Sequence, residues 1–337
     1  MSFEGTIDIL RNVGAFSKQA WFSGEPRWTP AQMPDLAEKV VIVTGGSSGI
    51  GKEIVKARHS IRFLSVLKLN GPQELLFHNA KVYLAARNPE KTERVIKELT
   101  EATGKTAVFL ELDLGDLKSV KAAAEVFLSK EKTLDILFNN GGVMLAPNDM
   151  VTVQGHDYHF GVNVLGHFYL TKLLLPALLS TEGKARVVTT SSSGIYLNLG
   201  NKILFETLKD GPARKTKSSS DLYIQSKVGD AMFALELARR YGDKGIVSIS
   251  LNPGNLKTDL DRHADWLNSI VLWFLLLWPA TWGAWTSLWA GTSPENEDAN
   301  GKFMVPWCRE GAMTKVVRDP ESGERLWVWM EDQVKDI

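Results

Sequence analysis

Tyr223 and Lys227 stand four residues apart in Asp221-Leu222-Tyr223-Ile224-Gln225-Ser226-Lys227. On a helix that spacing puts both side chains on one face. An ammonium beside a phenol favours the phenolate and draws its pKa down from about 10 toward a working range. Such a phenol can give a proton to a carbonyl oxygen, or take one back from an alcohol. Alone the pair says little, because many helices carry a Tyr and a Lys at this spacing.

A second segment carries different chemistry. The apolar run 40–43 leads into Thr44-Gly45-Gly46-Ser47-Ser48-Gly49-Ile50-Gly51, and a helix opens near Gly49. Unpaired backbone N–H groups at a helix start attract a pyrophosphate. The glycines let the chain turn tightly and let a ligand approach the backbone. A glycine-rich turn is a weak signal by itself, but a strand before it and a helix after it are the context a dinucleotide site requires. The next strand ends in Ala85-Ala86-Arg87-Asn88. An acid at this tip would hold the ribose hydroxyls of NAD. Arg87 suits a 2′-phosphate instead, so NADP is favoured over NAD. The plainer reading of Arg87 is a surface arginine.

The elements that must position these residues alternate along the chain. Runs 40–43, 81–86, 106–112, 134–138, 185–190, 245–251 and 302–305 read as strands, and 89–103, 116–131, 154–182, 221–241 and 319–334 as helices. Alternation of this kind means crossover connections and a parallel sheet. The expected fold is one α/β domain over 39–337, a Rossmann-type doubly wound sheet of about seven parallel strands with helices on both faces. Residues 1–38 show no strong periodicity and read as an N-terminal arm.

In their order the motifs resemble those of the short-chain dehydrogenase/reductase family, over about residues 36–337. The turn 44–51 matches its cofactor loop. Asp113 matches the family residue near the adenine, and Asn140 lies in Asn139-Asn140-Gly141-Gly142, where Gly141 replaces the usual Ala. Asn163 matches the catalytic asparagine of the long central helix. Ser192, within the triplet Ser191-Ser192-Ser193, matches the catalytic serine, with the assignment open by one place. Leu256 and Thr258 lie in the Pro-Gly loop that closes over the nicotinamide. The resemblance implies NADP-dependent interconversion of a carbonyl and an alcohol. Ser192 would polarise the oxygen and Tyr223 supply the proton. Lys227 would hold the ribose, and Asn163 a water that relays protons to Lys227. The implied cofactor contacts are Gly45, Ser47, Ser48, Ile50, Gly51, Arg87, Asp113, Asn140, Tyr223, Lys227, Leu256 and Thr258. Within the family the nearest likeness is to the retinol-dehydrogenase-like and fungal oxidoreductase branch. That branch does not fix a substrate; an apolar small molecule, in secondary metabolism, is expected, and the family's habit of dimerising implies a homo-oligomer. Two rivals stand beside this reading: the same reaction with NAD, and a non-catalytic nucleotide-binding scaffold.

Composition narrows the classes further. The chain has 337 residues, 44% of them apolar, and 39 basic against 39 acidic side chains. This balance shows no basic stripe for nucleic acid and no acidic tail for a charged partner. Cys308 is the single cysteine, so no intrachain disulfide forms; a reducing, cytoplasmic setting fits. No secretory signal is read at the N-terminus, and the longest apolar run, 270–280, is short of the roughly 20 residues a transmembrane span needs.

Two stretches depart from the pattern. From Gly51 to Arg87 the count is 87 − 51 = 36 residues, where the family uses roughly twenty. The extra stretch is 58–74; removing it joins Lys56-Ala57 to Leu75-Leu76 as an ordinary amphipathic helix. It is either a genuine insertion or translated non-coding sequence. The second stretch is the variable region 260–292, expected to form the substrate-binding wall or lid. Six of the eleven tryptophans fall in 266–289, and Trp278, Trp282, Trp285 and Trp289 make one helical stripe. Packing against the sheet, an apolar substrate wall, and peripheral membrane contact all fit the stripe; few Lys or Arg flank it, which weighs against the last. His156 and His159 invite a metal reading, but no further ligands complete a site, so no metal is expected.

Overall fold

The structure is a computed structural model that describes residues 3–21, 24–47, 49–56, 74–198, 202–257 and 278–337. Strand β1 (Val40–Thr44) is apolar along its length and wholly buried, as a central parallel strand must be. It pairs in parallel with β2 (Lys81–Ala86) on one side and β4 (Ile136–Asn139) on the other, so that Val43 stands opposite both Leu84 and Phe138. With β3 (Val108–Glu111), β5 (Ala185–Thr190), β6 (Ile246–Leu251), β9 (Phe303–Val305) and β10 (Arg309–Gly311) the sheet runs β10-β9-β6-β5-β4-β1-β2-β3. The chain winds outward from β1 through β3, then returns to place β4 on the other side of β1. A crevice opens beyond the strand ends at such a reversal.

The sheet has eight strands where about seven were expected. The addition is β10, antiparallel to β9. Its Arg309-Glu310-Gly311 has no apolar alternation, so nothing in the sequence marks it as a strand. A separate two-stranded pair joins β7 (Leu256–Lys257) to β8 (Trp278–Pro279).

Helices cover both faces. In chain order they are α1 (Phe3–Trp21), α2 (Gly49–Lys56), α3 (Glu74–Phe77), α4 (Pro89–Thr103), α5 (Leu117–Leu128), α6 (Tyr158–Phe160), α7 (Gly166–Leu179), α8 (Pro212–Lys215), α9 (Ser219–Tyr241), α10 (Ala280–Thr292), α11 (Lys315–Arg318) and α12 (Pro320–Val334). One buried layer gathers Val120, Phe127, Phe168, Leu174, Phe233 and Met330 from α5, α7, α9 and α12. The other gathers Ile50, Leu75, Leu99 and Leu288 from α2, α3, α4 and α10. Local chemistry sets the ends. Asn88 caps α4 by accepting from the Lys91 N–H, with Pro89 at the first position and Gly104 in the left-handed conformation after the last. Ser218 and Asp221 cap α9 reciprocally.

Three sequence expectations are corrected. The arm 1–38 contains α1, a full helix that packs through Ala15 and Phe16 onto the core. The face it packs carries the polar Asn12 and Gln19 beside Ala15 and Phe16, while Leu10 and Val13 are exposed, which hides the period. The helix read as 154–182 begins at Tyr158 and ends at Leu179, so His156 precedes it, bridged to Lys209. Between α6 and α7 the segment Gly161–Leu165 is a π turn, a distortion common at functional sites. The continuous run Tyr158–Leu179 is apolar and long enough to cross a bilayer, but it is mostly buried inside the domain, as a central core helix would be.

The tryptophan stripe packs rather than lining the crevice. Trp278 and Trp282 stack at 5.0 Å, Trp282 and Trp285 at 6.0 Å, and Trp307 meets Trp282 edge-on at 5.3 Å. Trp289 is buried in the second core layer. The substrate-wall reading therefore loses these four residues; residues 258–277 of the variable region, and 58–73 of the extra stretch, lie outside the described residues.

Candidate active site

A cavity of 510 Å³ opens at the strand reversal. It brings together Gly45, Ser47, Ile50, Arg87, Asp113, Asn140, Ser192, Tyr223, Lys227 and Leu256, residues from seven separate stretches of the sequence. Gly51 and Asn163 stand behind the wall. Ser48 and Thr258 lie outside the described residues.

The floor is a close meeting of two backbones. Gly45 holds φ +68°, and a Cβ there would come 2.8 Å from the Cα of Gly141. A Cβ on Gly51 would come 2.4 Å from the Gly45 carbonyl oxygen. Both contacts forbid a side chain, which is why this turn needs glycine. Thr44 ties the two segments: its Oγ1 accepts from the N–H groups of Asn140 and Gly141, each at 2.9 Å. The Asn140 amide returns a bond to the Thr44 carbonyl at 3.0 Å.

This floor continues into the helix that carries Asn163. Thr44 Oγ1 lies 2.8 Å from Nε2 of His167, whose Nδ1 lies 2.7 Å from the Asn163 carbonyl. A carbonyl only accepts, so Nδ1 carries the proton and Nε2 accepts the threonine hydroxyl. Burial holds the His167 imidazole down to about 4, and the nearby Lys227 charge adds to that. The Asn163 side chain is fully engaged: its Oδ1 accepts from Val143 N–H at 2.8 Å, and its Nδ2 donates to the Val143 carbonyl and to Ser226 Oγ.

The serine triplet divides by partner. Ser191 is buried and donates to the Lys227 carbonyl at 2.7 Å. Ser193 is buried beside Asn255. Ser192 accepts from the Gly194 N–H at 3.0 Å, which leaves its hydroxyl proton to donate. Lys227 lies with its Nζ 5.9 Å from the centre of the Tyr223 ring. It donates to the Thr190 carbonyl at 3.0 Å and to Asp230 at 2.8 Å.

At the outer end, Arg87 tips β2, with Nη1 3.9 Å from Asp113 Oδ2. The other Asp113 oxygen accepts from Gly115 N–H and shapes the loop. Lys91, in the first turn of α4, lines the same end. Opposite the floor, Phe16, Met144, Leu197 and Ile224 make an apolar wall. Of these five only Ile224 lies within a motif, between Tyr223 and Lys227. The signal for Lys91 is its position one helical turn beyond Arg87; for Phe16 there is none, since α1 precedes the first strand. Gln19 of α1 donates to Tyr196 Oη and accepts from Asn252, both at 2.9 Å, fixing the helix to the cavity's edge.

His156 and His159 are not partners of one another. His159 Nε2 accepts from Ala146 N–H, and His156 faces Gln333. Cys308 is buried, and burial pushes its thiol up to about 12, so it is no nucleophile.

The family profile described as short chain dehydrogenase matches residues 71–202. A short-chain dehydrogenase/reductase of Armillaria gallica is 54% identical over 320 residues, covering 94% of this chain and 96% of that protein. Retinol dehydrogenase 12 of Homo sapiens is 35% identical over 332 residues, covering 96% and 95%. Among solved structures, a short chain dehydrogenase from Shigella flexneri complexed with NADP superposes with a TM-score of 0.59 at 22% identity, covering 81% of this chain and 98% of that one. The chain belongs to the short-chain dehydrogenase/reductase family. It is an oxidoreductase on a Rossmann-type sheet, of a family that binds a nicotinamide cofactor.

Proposed function

We propose that the protein is an NADP(H)-dependent reductase of an apolar ketone or aldehyde, or a dehydrogenase of the corresponding alcohol, acting in the cytoplasm and in secondary metabolism. The observation that carries this is the convergence of Tyr223, Lys227 and Ser192 on one cavity whose far end is marked by Arg87 and Lys91. The cavity floor suits a dinucleotide: the Gly45, Gly51 and Gly141 backbones leave no room for side chains, and peptide N–H groups at the start of α2 favour a pyrophosphate. Ser47, Ile50 and Asn140 would flank it, Asp113 the adenine, and Leu256 the nicotinamide. The bound cofactor supplies the hydride.

The protein's own part is protonic. Ser192 donates a hydrogen bond to the substrate oxygen, and Tyr223 delivers its proton there as the alcohol forms. Lys227, with one N–H left after Thr190 and Asp230, holds a ribose hydroxyl and favours the phenolate left on Tyr223. Asn163 keeps Val143 and Ser226 in register around that ammonium. Phe16, Met144, Leu197 and Ile224 exclude water and select an apolar substrate.

The test is NADPH binding followed by fluorescence, then NADPH oxidation across apolar ketones and aldehydes. Tyr223→Phe should bind NADPH as the native protein does and lose turnover by about 10²–10⁴-fold. Absence of NADPH binding by the native chain would favour the non-catalytic scaffold instead.

A further inference from the structure

Asp230 stands one turn beyond Lys227 on α9, and no motif marks it. Its carboxyl is 1% exposed. Oδ2 accepts from the Lys227 ammonium at 2.8 Å, while Oδ1 is buried with no hydrogen-bond partner. A carboxylate left half-unsatisfied in the interior is costly, and a buried ion pair is weak evidence of a stabilising role. Yet its single partner is the lysine that faces Tyr223. Asp230 does not line the cavity that Lys227 and Tyr223 line.

We propose that Asp230 is a positioning residue of this centre: its carboxylate anchors Lys227 and sets the pH window in which Tyr223 exchanges its proton. This deepens the functional reading above and rests on it. The anchor acts through hydrogen-bond count. Lys227 has three N–H donors; Thr190 and Asp230 take two and aim the third at the cavity. The charge acts through distance. A negative charge raises the proton affinity of every group near it. For Lys227, burial opposes the ammonium, but the Asp230 and Tyr223 charges outweigh burial and lift it above the ordinary lysine value. Asp230 itself is raised by burial, against the pull of Lys227.

The other ionisable groups around the pair do not duplicate this role. The groups acting on Lys227 and Asp230 are each other, Tyr223 on the same helix, and His167 on the helix across, which burial keeps neutral. On the remaining elements packed against α9, the following groups are engaged elsewhere. His159 accepts from Ala146 N–H, Tyr196 donates to the Ala312 carbonyl, and Arg186 of β5 donates to the Ser293 carbonyl. Toward the far end of the helix, Arg239 donates to the backbone carbonyl of Arg318 on α11, and Arg240 pairs with Glu324 of α12. β6 carries no ionisable side chain.

Replacing the acid by an amide of the same shape keeps an acceptor for Lys227 and removes the charge. In Asp230→Asn, both limbs of the pH profile for alcohol oxidation should move to lower pH by about one unit, the acid limb through Tyr223 and the alkaline limb through Lys227. The deciding readout needs no cofactor. Ultraviolet titration of the Tyr223 phenolate, taken as the difference from a Tyr223→Phe background, should move down by about the same amount. Asp230→Ser serves as a second, smaller neutral variant and should move it in the same direction. Identical phenolate titrations in the native protein and the folded neutral variants would overturn the proposal. Failure of every variant to turn over substrate would count against the reductase reading alone, because the cofactor-free titration still decides the role of Asp230.

Discussion

The two sides of the cavity are built in different ways. The floor, from Thr44 through Asn140 to Asn163, is a network of buried hydrogen bonds in which His167 joins the cofactor turn to the helix that braces Lys227. The opposite wall is apolar, contributed by Phe16 of a helix outside the sheet, Met144 of a loop, Leu197 of a short turn and Ile224 of α9, and α1 is pinned by Gln19 to Tyr196 and Asn252. A polar network tolerates little change, because each member left unpaired in the interior costs the desolvation of its partner. An apolar wall can change shape for the cost of area alone. On the function proposed above, the polar side would hold the chemistry, and the choice of substrate would belong to the side that can vary.

The sharpest way to break this comparison is through His167. Burial lowers it from an ordinary value of 6.5 to about 4. A histidine lowered on folding contributes stability that is fully present above its unfolded value and is lost as the pH falls through the folded one. The native protein should therefore lose stability between about pH 6.5 and 4, by up to roughly 3 kcal/mol from this group. His167→Gln can still bridge Thr44 and the Asn163 carbonyl but cannot titrate. It should be less stable at pH 7 and lose less on acidification, as read from urea unfolding at pH 7 and 4.5. Parallel pH dependences in the two proteins would mean the floor is not held by this link.

The floor was legible in the sequence and the wall was not, for a physical reason. A turn in which backbones nearly touch requires glycine, and a proton relay requires Tyr and Lys at a fixed helical spacing, so Gly45, Gly51, Tyr223 and Lys227 announce themselves by type. The parallel strands were visible because burial on both faces makes them continuously apolar. Strand β10 is short, polar and at the sheet edge, so it leaves no pattern. Phe16 touches the cavity through tertiary packing alone, and any apolar residue on α1 would read the same. His167 was visible as a letter, but its role depends on Thr44, 123 residues away. Of the tryptophan stripe, Trp282, Trp285 and Trp289 lie on α10 while Trp278 lies on β8 before it, and of the readings left open the packed one fits: the face meets Trp307 and the core.

Arg87 tests the rim of the floor, where the same cofactor contact is open to water. Its side chain is 64% exposed, so its share should be smaller than that of a buried group. Arg87→Asp should weaken NADPH by about 10- to 100-fold, the worth of one or two charge-assisted hydrogen bonds to a phosphate. NADH, lacking that phosphate, should bind no worse. Fluorescence titration with the two cofactors measures both. Unchanged NADPH affinity would assign Arg87 to its ion pair with Asp113 and return the preference to NAD.

Phe16 is the smallest step and the one that bears most directly on the wall. Truncation to Ala removes part of an aromatic face that meets substrate before and after proton transfer alike. Uniform binding of that kind appears in KM and not in kcat. Phe16→Ala should raise KM for bulky apolar carbonyls several-fold, about 1 kcal/mol for the apolar area no longer covered, while leaving kcat and the pH profile in place. Small carbonyls that do not reach α1 should be converted equally well by both proteins. A fall in kcat with KM unchanged would instead make α1 part of the polar side, coupled through Gln19 and Asn252 to the loop that carries Pro253 and Leu256.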